Sequence, residues 1–148
     1  MSGVVARLRD DRGSVLPLII GYAVLCLVVV LSVTAITSLY LERERLYALA
    51  DSAALAGAES YSLTDVRVVN GSPHPVLEPR AVRDAVQDFV GTAAADGFDG
   101  LRVERADTAD GRSATVRLSA VWHPPVVSPF VPKGFRIDVT ASARSVLH

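Results

Sequence analysis

The apolar residues of this chain are concentrated near its beginning. From Gly13 to Leu41 no residue carries a formal charge, and Leu, Ile and Val dominate the 29 positions. An apolar run of this length predicts a helix that spans a membrane. A helix this long would not fit inside the small domain that the remaining residues can form, so we do not interpret the run as the buried core helix of a soluble protein.

The helical pattern continues past the apolar run. After the charged segment Glu42–Arg45, no Pro or Gly occurs before Gly57, and helix propensity stays high. We therefore predict one helix from about Ser14 to about Glu59, apolar all round in its first part and amphipathic in its second. With Ser14 as the N-cap, Pro17 falls in the first turn, where its missing N–H breaks no helical hydrogen bond.

The second part of this helix carries a face of small residues at helical spacing, namely Ala50, Ala53, Ala54, Gly57 and Ala58. Small side chains at this spacing let another backbone approach closely. Two interpretations stay open at this point. The face packs beneath the sheet of its own chain, or it packs against the same helix of a neighbouring subunit and builds a homo-oligomer.

The rest of the chain predicts a small mixed domain. Period-two alternation indicates strands, and apolar spacing of three and four indicates a helix. The predicted elements are a strand in 61–69, a loop at 70–79, a helix at 80–95, strands near 101–104, 114–122 and 135–144, and a hairpin turn at Asp110-Gly111. The fold class is α+β: a long N-terminal helix followed by a head with one helix and a three- to four-stranded antiparallel sheet, whose apolar face needs a cover.

The basic residues beside the apolar run predict its orientation. Arg7, Arg9 and Arg12 precede it, whereas only Arg43 and Arg45 follow closely. The excess places the N-terminus in the cytoplasm and the head outside the cell membrane. The predicted parts are a cytoplasmic arm (1–13), a transmembrane helix (14–41), an extramembrane continuation (42–60) and an extracytoplasmic head (61–148). A cleaved secretory signal is the competing interpretation, but its apolar region is only 7–15 residues long.

Composition argues against several other functions. The net charge of −1 gives no basic surface for nucleic acid, and the single cysteine leaves no cysteine-based zinc site. The three histidines are far apart, so we expect no metal, no cofactor and no enzymatic activity. Trp122 and Phe130, in and around a proline-rich loop, form a candidate contact surface of the head, or they cap the edge of its sheet.

Three segments together resemble the TadE/TadG group of pilin-like proteins from the bacterial tight-adherence (Tad/Flp) pilus system. Arg12–Pro17 opens the apolar run, the alanine-rich segment Leu46–Ala58 closes the helix, and Val139–Arg144 is similar to the closing strand of the family. The resemblance implies a pilin-like, single-pass envelope protein. Such a protein serves the assembly of an adhesive pilus or of a related secretion machine.

The resemblance also implies partners and a processing site. The partners would be the lipid bilayer and other Tad or pilin-like subunits. Prepilin-type cleavage would fall between Gly13 and Ser14, but Leu18 stands where cleaved family members have Glu. A minor pseudopilin or a TadG-like accessory protein therefore fits better than a major filament subunit. The alternative is a membrane-tethered extracellular binding domain unrelated to pili.

Overall fold

The computed structural model describes residues 15–61, 66–69, 72–93, 97–125 and 132–144 of the chain. Two helices and five strands follow one another within these ranges. They are α1 (Val15–Ala58), β1 (Val66–Val69), β2 (Ser72–Pro75), α2 (Pro79–Ala93), β3 (Arg102–Asp107), β4 (Ser113–Trp122) and β5 (Phe135–Arg144). The fold is α+β, as the sequence predicts.

The head is built on an antiparallel sheet in the order β3-β4-β5. β4 and β5 pair along their whole length, from Ser113 opposite Arg144 to Trp122 opposite Phe135. Alternation gives β4 one apolar face, formed by Ala114, Val116, Leu118 and Ala120, all of which are fully buried. A sheet with one apolar face requires a layer that excludes water from it.

The two helices supply that layer. The outer half of α1 contacts β4 and β5, and α2 packs against α1 and β3. The lengths of helix and sheet agree. Ser38 to Gly57 of α1 rises about 28 Å, and Ala114 to Trp122 of β4 spans about 27 Å. One helix therefore covers the sheet from end to end.

The inner half of α1 has no such cover. Every residue from Val15 to Val30 is exposed, although most are apolar. The helix contains an 18-residue window of mean hydropathy 2.7, none of it buried, so by length and composition it is a candidate membrane span. Ser32 and Thr34 donate their hydroxyls to the carbonyls of Val28 and Val30, at 2.7 and 2.9 Å. These bonds reduce the cost of polar groups in an apolar solvent.

Most predicted elements are confirmed, with bounds shifted by a few residues. The predicted loop at 70–79 is wrong in part, because Ser72–Pro75 forms a strand that pairs with Val66–Val69 as a separate antiparallel hairpin. Prolines make this segment resemble a loop, since they cannot donate to a sheet ladder. The main sheet therefore has three strands, and the two short strands lie outside it.

The turn between β3 and β4 falls at Asp110-Gly111, as predicted. Gly111 has a positive φ of 67°, a conformation that favours glycine. The Oδ1 atom of Asp110 accepts the backbone N–H groups of Arg112 at 2.9 Å and of Ser113 at 2.7 Å. These hydrogen bonds to the charged form lower the pKa of Asp110 from 3.8 to about 2.

This turn predicts a pH-dependent contribution to stability. The pKa of Asp110 is lower in the folded chain, so the stabilisation is fully present above pH 3.8 and is lost as the pH falls through about 2. We expect the melting temperature of the wild type to exceed that of Asp110→Asn above pH 3.8, and the difference to shrink towards pH 2. Circular dichroism of the full chain in detergent measures it. Asp84→Asn, at an exposed position of α2, controls for the loss of one charge, and a difference that does not depend on pH would contradict the interpretation.

Candidate functional site

The small-residue face of α1 lies inside the head of its own chain. Four of the five predicted residues, Ala50, Ala53, Ala54 and Ala58, are at most 1% exposed, and Gly57 is buried as well. They belong to one apolar core together with Leu46, Leu118 and the valines of α2. The core thus joins the outer half of α1, the sheet and α2.

Gly57 lies where α2 and β4 both approach α1 closely. A Cβ atom at this position would lie 3.1 Å from Val86 Cγ2 and 3.2 Å from both the Cβ of Ala114 and Val82 Cγ1. Contacts this tight leave no room for a larger side chain, because a packed core has few voids. The glycine therefore lets α2 and β4 meet the same turn of α1.

The sequence left two interpretations of the small-residue face open. In the structure the face packs beneath the sheet of its own chain. A second helix could reach the five residues only if the head moved off α1, since no part of the face is accessible to another molecule. The inner half of α1, from Val15 to Val30, stays accessible and is mostly apolar.

A second site of interest is the junction where the head meets the apolar half of α1. Trp122, at the end of β4, donates its indole N–H to the hydroxyl of Ser38 at 3.4 Å. Its ring lies beside that of Phe135, with 6.3 Å between the ring centroids. Trp122 is half-buried and Phe135 is 53% exposed. The predicted contact residue Trp122 thus fixes the end of the sheet to α1.

The close approach at this junction depends on a second glycine. Gly134 precedes β5 with a φ of 59°, and a Cβ atom there would lie 2.6 Å from Val121 Cγ1 and 2.7 Å from the carbonyl oxygen of Trp122. Both the conformation and the space therefore require glycine. It allows the chain to turn into β5 directly against the end of β4.

Three of the predicted site residues lie outside the described ranges, namely Gly13, Ser14 and Phe130. Leu18, where cleaved family members have Glu, lies on the exposed apolar part of α1. The structure also brings together residues that sequence reasoning missed, above all Ser38 with Trp122 and Ser119 with Arg136. Their separation along the chain gave no local signal, although Ser38 is one of several hydroxyl residues near the end of the apolar run.

The described part of the chain holds no group of three or more His, Cys, Asp and Glu side chains that could bind a metal ion. His123 Nδ1 lies 3.3 Å from Asp99 Oδ2, and the Asp99 carboxylate is largely exposed. The ion pair between Arg117 and Asp138, at 2.7 Å, is exposed on the outer face of the sheet. Such polar contacts favour solubility of the head and contribute little to stability.

These features define a class of protein: an α+β head whose core helix extends as an exposed apolar helix long enough to cross a membrane. Residues 13–60 match the family model described as putative Flp pilus-assembly TadE/G-like. The match covers the whole of α1 and about a third of the chain, and it ends before β1. It confirms the resemblance noted in the sequence over this helix. No curated protein and no solved structure matches the chain.

The tight contact at Gly57 predicts that larger side chains disrupt the head. Gly57→Leu overpacks the core and should destabilise it by about 1 to 3 kcal/mol. Thermal unfolding of the full chain in detergent should show a lower melting temperature at every protein concentration, because the contact lies within one chain.

The matched control for this substitution is Gly91→Leu on α2. Nothing lies within 4 Å of a Cβ atom at that position, so the side chain meets no obstacle. We expect it to be neutral or slightly stabilising, because leucine favours helix more than glycine does. Equal destabilisation by both substitutions would contradict the close packing at Gly57.

Proposed function

We propose that this chain is a non-enzymatic, single-pass membrane component of a Tad/Flp-type pilus assembly or secretion apparatus, acting as a minor pseudopilin or a TadG-like accessory protein. The observation that carries the proposal is the division of α1. One face of its outer half is buried in the head, whereas every residue of its inner half from Val15 to Val30 is exposed and most of these residues are apolar. The family match over the same helix supports the proposal.

The proposed span is shorter than the uncharged run. The 21 residues from Val15 to Ala35 rise about 31 Å, which agrees with a hydrocarbon core of about 30 Å. From Ser38 onward α1 is in contact with the head. We therefore place the outward-facing edge of the hydrocarbon core near Ala35 and Ile36. The rest of the uncharged run is assigned to the base of the head.

The proposed contacts between subunits use the inner half of α1. β4 and α2 cover the small-residue face of α1, so this face stabilises the head. Contacts with other subunits would then be made by the membrane-spanning part of α1. Other Tad subunits, or a second copy of the chain, would bind there within the bilayer. The excess of arginine before the run places the N-terminus in the cytoplasm and the head outside.

The native cysteine gives a direct test of the span. Cys26 is the only cysteine of the chain and lies near the middle of the proposed membrane segment. We expect a charged, water-soluble maleimide to leave Cys26 unmodified in intact membranes, because a charged reagent does not enter the hydrocarbon, and to modify it after unfolding in detergent. Mass spectrometry measures the modified fraction.

A second cysteine tests orientation and cleavage. Ser52 is exposed on the outer half of α1, and Ser52→Cys in a Cys26→Ser background should react with a membrane-impermeant maleimide added to intact protoplasts. Protection of this cysteine would reverse the proposed orientation. Release of the labelled head from the membrane would indicate a cleaved signal instead of an anchor.

Site-specific photocrosslinking tests the proposed partners. A photoreactive residue at Val28, on the exposed apolar surface, should form adducts with other proteins of the apparatus or with a second copy of the chain. The matched probe replaces Thr92, an exposed residue of α2. Adducts from both the span and the head would still support the proposal.

The same experiment separates the proposal from its alternative. Adducts that arise only from Thr92, with proteins unrelated to pili, would favour a membrane-tethered binding head. A probe at Val28 that reacts with lipid alone would contradict lateral packing. Loss of piliation on deletion of the gene would test the role in assembly independently of these contacts.

A further inference from the structure

The sheet of the head has two open edges. Within the described residues, β3 and β5 each pair with β4 and with no other strand. The second edge of each strand therefore presents backbone N–H and C=O groups without a strand beside them. Such an edge is a template for a further strand, and proteins usually blunt it with prolines, bulges or a short length.

The edge of β5 carries none of these features. The strand is ten residues long, contains no proline and pairs with β4 without a register shift. Three consecutive residues, Arg136, Ile137 and Asp138, line an open groove of about 450 Å³ beside α1. Because successive side chains point to opposite faces of a sheet, consecutive residues line one groove where the backbone edge itself faces it. A further strand would lie in this groove.

The edge of β3 is open in the same way. Five consecutive residues, 103–107, line a groove of about 160 Å³ together with Arg83 and Gln87 of α2. The strand is only six residues long and its register shifts between Val103 and Arg105. The head therefore presents a long, regular edge on one side and a shorter one on the other.

The direction of α1 limits which edges of two copies can pair. Ser38 of α1 contacts Trp122 at the end of β4, and Gly57 lies against Ala114 near the beginning of β4. The helix therefore runs antiparallel to β4 and in the same direction as β3 and β5. Copies that span one bilayer with one orientation have their α1 helices parallel. This step rests on the membrane placement under the proposed function.

Pairing of one edge with the same edge of a second copy does not meet this condition. An antiparallel ladder between two β5 strands, or between two β3 strands, would turn one α1 upside down. A two-fold axis along the strands keeps the direction, but it sets each N–H opposite the identical N–H. Parallel pairing of β5 with β3 of a second copy keeps both the direction and the face on which the helices lie.

We propose that β5 of one copy pairs in parallel with β3 of a second copy, so that the sheets of neighbouring heads join into one. The contact is heterologous, since each copy contributes a different edge, and it can therefore repeat from copy to copy. It lies outside the bilayer and adds to the packing of the spans. The partner of the open edge is thus a second copy of this chain.

Charges at equal height support this pairing. Arg102 and Asp138 are opposite the same residue of β4 and are therefore level with each other. Arg136 is opposite Val121, whose N–H binds the carbonyl of Asp99. With two copies at one height in the membrane, Asp138 would face Arg102 of the second copy, and Arg136 would face Asp99. Opposite charges in facing positions favour a register between strands.

The joint would also cover aromatic side chains of α1. Tyr40 lines the groove beside β5, and Tyr47 lies two helical turns further along the same side. They are 62% and 50% exposed. Since α2 packs on the β3 side of the head, α2 of the second copy would lie beside this flank of α1.

Disulfide crosslinking tests the pairing. Arg105 and Thr140 are exposed and level with each other, because both are opposite Arg117. Within one chain β4 separates them by about 10 Å, too far for a disulfide, whereas strands that pair lie about 4.8 Å apart. The full-length Arg105→Cys, Thr140→Cys protein in a Cys26→Ser background is reconstituted into phosphatidylcholine vesicles and oxidised with copper phenanthroline. We expect dimers, trimers and larger species on a non-reducing gel.

Matched variants separate the pairing from random collision. Arg105→Cys alone and Thr140→Cys alone should remain monomeric, because the contact joins different edges. Arg102→Cys with Arg144→Cys places exposed cysteines on the same two edges, but their levels differ by six residues of β4, or about 20 Å. This pair should crosslink severalfold less.

A second level pair repeats the test at another position. Asp107 and Ser142 are both opposite Thr115, so Asp107→Cys with Ser142→Cys should form the same series of species. Agreement of the two level pairs would support the register as well as the pairing.

The outcomes distinguish this inference from the proposed function. Absence of crosslinks from both level pairs, or equal crosslinking by the Arg102 and Arg144 pair, would overturn the pairing and leave the membrane placement standing. Dimers from Thr140→Cys alone would show two β5 strands side by side. Their antiparallel pairing would contradict both the inference and a single orientation of α1 in the membrane.

Discussion

The head depends on the contact between the small-residue face of α1 and the layer formed by β4 and α2. A three-stranded sheet cannot protect its own apolar face, and it is covered here because α1 presents alanine and glycine along the seam. Gly57 is the tightest point, where three side chains from two other elements lie within 3.2 Å of a notional Cβ atom. Larger residues along this seam would hold the helix away from the sheet and leave voids or strain. The apolar half of α1 and the head are therefore one structural unit, joined without a linker.

This packing divides a single helix between two environments. The outer half of α1 finds its apolar partners within the chain, and the inner half finds none among the described residues. The change from packed helix to exposed helix takes place near Ser38, where Trp122 at the end of the sheet donates a hydrogen bond to the helix. Because α1 is one continuous helix, the head is held in a fixed orientation relative to the inner half of α1. Contacts with other subunits would then fall on the span and on the exposed surfaces of the head.

Periodicity predicted much of this architecture because each element has a strong local signal. The valines of α2 recur at helical spacing, and β5 alternates over ten residues; the structure confirms both. The turn at Asp110-Gly111 has a local cause in the side-chain carboxylate and the glycine conformation. The strand Ser72–Pro75 was missed because its prolines weaken the strand signal, and its pairing depends on a hairpin partner. Of the candidate site residues, Gly13, Ser14 and Phe130 stay predictions, since they lie outside the described ranges.

The sequence by itself determined that one long helix joins an uncharged apolar part to an alanine-rich part, because hydrophobicity and helix propensity are local properties. It also carried the similarity to the Flp pilus-assembly TadE/G-like family over that helix. Only the tertiary structure decided what lies against the alanine face. A small-residue face packs equally well on a sheet or on another helix, so spacing alone does not choose between them. The choice came from the sheet, whose length matches the outer half of α1 and whose apolar face α1 covers together with α2. The same arrangement brought Ser38 to Trp122, a pair that no local pattern connects.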